Sequence, residues 1–286
     1  MLAIVTGVGD RPGTEPEDAP LLDILIAVDV TASMSAQDDE AGSRLAAAHR
    51  DLARLVAALP SARYTLVSFG SQVEVELRAT SDPVAIRDEI DQLDVEPPAP
   101  GEGTRTDRAL PVLQDLLAGP DGAGGVLGAG ADMRRILVFV SDGEQTADTD
   151  RRSFSVLARD LHASLVLGYG TTEGGLMPDP NRDERTAGAG LVMDPATERP
   201  AVSRFDGPDL RRIAEETEGA FEHRVGPGGI NELAEAVQLQ AYDTTESPED
   251  RRQLAWMWSL LLLGLLLIEL RVVWSAFLAD LRVIRP

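Results

Sequence analysis

Apolar residues in this chain fall into two alternating rhythms. Ile24 to Val28 is a continuous apolar run, the pattern of a strand buried on both faces. Helical spacing follows, with Leu45, Ala48, Leu52, Leu55, Val56 and Leu59 on one face and Pro60 as the stop. Tyr64 to Phe69 and Val73 to Leu77 read as neighbouring strands, joined by a turn at Gly70-Ser71. Asp82-Pro83 caps a helix that runs to Leu93, and a Pro- and Gly-rich loop, Glu96 to Gly103, leads into a helix over Asp107 to Leu117. Gly119 to Ala131 reads as a flexible surface loop. Ile136 to Val140 is a second central strand, followed by a helix from Phe154 to Leu161 and a buried strand at Leu165 to Leu167. A hairpin is expected around Leu191–Val192 and Ala201–Val202. Helices at Leu210 to Thr217 and Ile230 to Leu239 flank a short strand near Ala220 to Glu222. This alternation predicts an α/β fold: a doubly wound, mostly parallel sheet with helices on both faces, over residues 23–241.

The ends of the chain behave differently. Residues 1–22 form an apolar stub and a polar, Pro-bearing linker, without the basic n-region of a signal peptide. After a linker at 242–253, residues 254–278 are expected to form a transmembrane helix, with 279–286 as a short tail. The uncharged run Leu254 to Ile268 is shorter than a full span, and Glu269 and Arg271 interrupt it. The tryptophans favour a membrane helix over a core helix, because Trp256 and Trp258 lie at one end and Trp274 at the other. At about 1.5 Å per residue, Trp258 and Trp274 stand roughly 24 Å apart, near the spacing of two interfacial belts. Arg251 and Arg252 before the span, and Arg271, Arg282 and Arg285 towards its far end, leave the side of the membrane open.

Composition narrows the chemistry. The chain has 286 residues and a formal net charge of -22, which disfavours nucleic-acid binding. Its basic residues are all Arg. Without Lys there is no Walker A loop, no kinase strand lysine and no Schiff-base amine. Without Cys there is no disulfide, thiolate nucleophile or Cys-based zinc site. Gly-x-Ser-x-Gly does not occur, and His49, His162 and His223 have no metal-ligand spacing.

Two strand ends carry oxygen donors where open parallel sheets bind ligands, beyond the carboxyl ends of the strands. The first strand runs into Asp29-Val30-Thr31-Ala32-Ser33-Met34, and the second central strand into Ser141-Asp142-Gly143-Glu144. Between them, Gly103-Thr104 stands just before a helix. Over about residues 20 to 241 this arrangement resembles the von Willebrand factor type A (vWA) fold with its metal-ion-dependent adhesion site. Asp29, Thr31 and Ser33 match the D-x-S-x-S motif, Thr104 the loop threonine and Asp142 the later aspartate. Thr31 stands where the family usually has Ser, and Ala32 where Gly is common. A chain of this kind with a C-terminal membrane helix is similar to the bacterial aerotolerance-type (Bat-like) vWA membrane proteins. The segment Ala201 to Asp206, leading into Leu210, resembles their late hairpin and helix.

The resemblance implies a hard divalent cation, Mg²⁺ first with Mn²⁺ and Ca²⁺ as alternatives, consistent with an all-oxygen donor set. Ser33, Thr31 and Thr104 would give hydroxyl ligands, and Asp29 and Asp142 would act partly through bound water. An open position would take a carboxylate from a protein partner, so the site is a docking point and no catalytic residue is expected. An alternative reading is a scaffold for a MoxR-type AAA+ ATPase, which accompanies such proteins. A metal-dependent phosphatase of the haloacid-dehalogenase type fits less well, because Thr31 stands where its second Asp belongs and its Lys is missing. The acidic stretch Gln37 to Glu40 reads as a solvated loop ahead of a helix.

Overall fold

The computed structural model describes residues 22–38, 42–97, 104–118, 133–147, 150–179, 190–194, 197–226 and 228–243. The expected stub, the loop at 119–131, the transmembrane segment 254–278, most of the linker before it and the tail lie outside the described residues. Among those described, no helix is long and apolar enough to cross a membrane.

The strands are β1 (Leu22–Asp29), β2 (Arg63–Phe69), β3 (Val73–Thr80), β4 (Arg134–Ser141), β5 (Ala163–Tyr169), four two-residue strands β6 (Gly175–Leu176), β7 (Met193–Asp194), β8 (Arg199–Pro200) and β9 (Val202–Ser203), and β10 (Ala220–Arg224). The helices are α1 (Arg44–Ala58), α2 (Pro83–Gln92), α3 (Leu110–Ala118), α4 (Ser155–Ala158), α5 (Gly207–Glu216) and α6 (Ile230–Asp243). Six strands form one sheet in the order β10-β5-β4-β1-β2-β3. Its neighbours pair parallel except β2 with β3, which is antiparallel at one edge.

Period-two alternation explains the two cores. Ile24, Ile26 and Val28 face α1, α2 and α6, packing with Leu52, Ile86 and Ala234. Leu25 and Ala27 face the other way, onto Leu113 of α3, Leu157 of α4 and Ile213 of α5. A strand covered on both faces must be apolar throughout, which is why β1 shows no polar alternation between Ile24 and Val28. Phe139 stacks on Phe69 at 5.1 Å between ring centroids and meets Phe154 edge-on at 5.3 Å, locking β2, β4 and the segment before α4 together.

Strand order also locates a crevice. The chain moves outward from β1 through β2 to β3, then returns to the other side of β1 to lay down β4, β5 and β10. The order therefore reverses between β1 and β4, and the ends of those two strands flank the crevice where doubly wound sheets take ligands.

Two expected helices come out shorter. The helix expected from Asp107 begins as a single 3₁₀ turn at Thr106–Arg108, and α3 proper starts at Leu110. Pro111 is the cause: it has no N–H to donate, and its ring would clash with the Asp107 carbonyl in a continuous helix. The helix expected to reach Leu161 stops at Ala158, because Asp160 and Leu161 close tight turns by donating to Leu157 and Ala158. His162 N–H then donates to the Arg135 carbonyl as the chain enters β5. The hairpin is present at β7–β8, with Ala201 N–H donating to the Val192 carbonyl. Beyond it, β9 pairs back with β6.

Candidate functional site

At the end of β1, one Asp29 carboxylate oxygen accepts the Thr31 N–H at 2.9 Å and the Thr31 hydroxyl at 2.6 Å. The Thr31 and Ser33 hydroxyls lie 2.9 Å apart in a hydrogen bond. This is a local Asx-type turn, so the D-x-T-x-S spacing brings all three side chains together over five residues. The other Asp29 oxygen accepts the Ser141 hydroxyl at 2.6 Å, which clamps the β1 end to the β4 end. One residue on, an Asp142 oxygen accepts the Glu144 N–H at 2.9 Å. Thr104 arrives from the opposite side: its N–H donates to the Thr146 hydroxyl at 2.7 Å, and Thr146 N–H donates back to the Thr104 carbonyl.

Asp29 and Asp142 are fully buried, whereas Thr31, Ser33 and Thr104 line an open cleft of about 260 Å³. Glu96 and Glu144 share that cleft, and Met177, Val192 and Val202 form an apolar flank. The arrangement thus has two carboxylates beneath a hydroxyl floor. Burial holds the Asp29 carboxyl well above the usual range, and the neighbouring Asp142 charge raises it further; hydrogen bonds from Ser141 and Thr31 pull the other way. Burial also pushes Glu144 up, with the Ser203 hydroxyl opposing and the Asp142 charge reinforcing that shift.

Asp142 has a partner that the sequence patterns did not single out. Arg44, the first residue of α1, is fully buried, and its guanidinium donates to Asp142 at 2.7 Å and to both oxygens of Asp38 at 2.6 and 2.9 Å. Asp38 also accepts the Thr171 N–H at 2.9 Å. Burial opposes the charge on Asp38, but these hydrogen bonds outweigh it and hold the carboxyl below its ordinary range. The stretch expected as a solvated loop is therefore anchored at Asp38. Gly170 makes room for the arginine: its φ is +109°, and a Cβ there would stand 2.4 Å from Arg44 Nε.

Of the expected residues, Asp29, Thr31 and Ser33 are joined directly, Asp142 lies in the same electrostatic unit, and Thr104 lines the same cleft. Arg44, Asp38, Ser141, Glu144 and Ser203 complete the surroundings. Ser141 and Glu144 stand beside Asp142 in the sequence, and Asp38 belongs to the acidic stretch read as a solvated loop; Arg44 and Ser203 reach the site only through the fold. The donor set suits a hard cation. Its atoms are carboxylate and hydroxyl oxygens, and the two buried like charges are held close where added positive charge would relieve their repulsion. Among the described residues no group of three or more His, Cys, Asp or Glu could hold a metal, so a cation here would depend on the hydroxyls.

A family model described as the von Willebrand factor type A domain matches residues 24–145, a range that contains Asp29, Thr31, Ser33, Thr104 and Asp142. The fold is vWA-like. Likeness to solved structures extends past the matched range. The conserved hypothetical protein BatB from Bacteroides thetaiotaomicron is 20% identical, with 79% of this chain and 100% of that chain covered and a TM-score of 0.59. An aerotolerance-related membrane protein from Bacteroides fragilis is 20% identical, with 77% and 98% covered and a TM-score of 0.58. At this identity the likeness is one of fold. No curated protein matches the chain.

Proposed function

We propose that this vWA domain binds a divalent cation, Mg²⁺ in the first instance, and uses it to dock a protein partner through a carboxylate. Ser33, Thr31 and Thr104 would hold the cation by their hydroxyls, and Asp29 and Asp142 would act partly through water. The observation that carries this reading is the buried Asp29 carboxylate bonded to the Thr31 hydroxyl, which with Ser33 and Thr104 opens on a cleft above the buried β1 and β4 ends. Mg²⁺ with few direct carboxylate ligands stays electrophilic, which is the chemistry that would attract a further carboxylate. The reading is one of binding without turnover, with the Thr31 hydroxyl, held by Asp29 at 2.6 Å, serving as a ligand.

Residues 254–278 would hold the domain at a membrane. The Trp and Arg pattern supports that placement, and the similar protein from Bacteroides fragilis is described as a membrane protein.

Capture of short Asp-containing peptides on the immobilised chain tests the docking step. Binding in Mg²⁺ that is lost in chelator and in Ser33→Ala is expected; binding indifferent to both would contradict the reading.

A further inference from the structure

Arg44 touches four separate parts of the molecule with one side chain. Its Nη1 donates to Asp142 at 2.7 Å, to the Ser203 hydroxyl at 2.7 Å and to the Ser33 carbonyl at 3.4 Å. Nη2 reaches the Ser203 carbonyl at 3.1 Å and Asp38 at 2.6 Å, and Nε reaches the second Asp38 oxygen. The Ser203 hydroxyl in turn donates to Glu144, which lines the cleft. Ser203 belongs to β9, whose other residue, Val202, is part of the apolar flank of that cleft. A second link runs alongside, from Gln37 N–H to the Leu176 carbonyl on β6.

We infer that Arg44 is a positioning residue that couples the candidate cation site to β9, the strand that brings Val202 to the cleft. The physical case is one of charge. Asp29, Asp142 and Glu144 stand together, and the buried cation near them is Arg44, whose charge is shared with Asp38. The carboxylates therefore repel one another, and the Ser203 hydroxyl sits between two of them. A divalent cation on the hydroxyl floor relieves that repulsion and firms the hydrogen bonds that hold Ser203. Linkage then requires the converse, that a well-held Ser203 and Arg44 strengthen cation binding. The wall that a partner meets beside its carboxylate is set by whether the cation is present.

The inference rests on the cation reading of the site, and the test separates the two. Mg²⁺ affinity is measured by calorimetry, and amide hydrogen exchange at residues 199–206 is followed with and without Mg²⁺, in the full chain and in Ser203→Ala, Arg44→Gln and Arg44→Lys. Mg²⁺ is expected to slow exchange across β9 in the unaltered chain. Ser203→Ala should weaken Mg²⁺ binding by about 10-fold, the scale for groups that orient metal ligands, and lose that protection. Arg44→Lys keeps the charge without the planar fork and should also weaken binding, which a purely charge-balancing role would not produce. If the Arg44 variants do not fold, Ser203→Ala carries the test alone. An unaltered chain that takes up no Mg²⁺ overturns the cation reading itself. Equal Mg²⁺ affinity in every folded variant, with exchange at β9 indifferent to the metal, overturns only the coupling.

Discussion

Asp107 shows how one buried carboxylate is held by its surroundings. It is fully buried, and Arg105 and Arg152 both donate to it, at 2.9 and 2.8 Å. Burial alone would raise its pKa, but hydrogen bonds from Arg105 and then Arg152 outweigh that and bring it to about 2. A folded-state pKa below the unfolded value of about 4 means stability that is present above pH 4 and lost as pH falls towards 2. Asp107→Asn removes that dependence. Melting curves between pH 7 and pH 2 should show the variant less stable at neutral pH, with the gap closing towards pH 2; a constant gap would contradict the assignment. The same scale marks the limit of reading residues from sequence. Asp29, Thr31 and Ser33 are recognisable because a five-residue turn brings them together. Arg44 is not, because nothing local in Ser43-Arg44-Leu45 reveals that its side chain ends against Asp142 and Ser203, 98 and 159 residues away.

At the scale of elements, periodicity identified what is long and covered on a known face. The strands β1, β2, β4 and β5 and the helices α1, α2, α5 and α6 all lie where the apolar spacing puts them. Asp82 caps α2 as Asp82-Pro83 suggested, accepting the Val84 N–H at 2.8 Å and, more weakly, that of Ala85. Asp82→Ala should cost about 1 kcal/mol of stability, measurable by urea unfolding. A loss near zero would show that the exposed α2 start is held by Pro83 alone. The two-residue strand β6 gave no periodic signal, and its partner β9 is remote in sequence. Tertiary contact, not local pattern, makes that pair, and through Val202 of β9 it reaches the cleft. The shortened start of α3 was readable in principle from Pro111, whose missing donor outweighs the apolar spacing around it.

At the scale of the whole molecule, an acidic domain of vWA-like fold is followed in the sequence by a Trp-flanked apolar segment at 254–278. Expressed in a bacterial cell, the full chain should stay with the membrane fraction through a carbonate wash. Removing residues 246–286 should release it to the supernatant, and retention of the shortened chain would locate the membrane contact elsewhere. The central claim concerns the place where the strand order reverses and the β1 and β4 ends meet. Titration calorimetry of Mg²⁺ into the purified full chain, beside Asp29→Ala, tests it most directly. The account predicts uptake of a single cation that the substitution abolishes while the fold, followed by circular dichroism, survives. A folded chain that takes up no Mg²⁺, or an Asp29→Ala variant that binds it equally well, would contradict it.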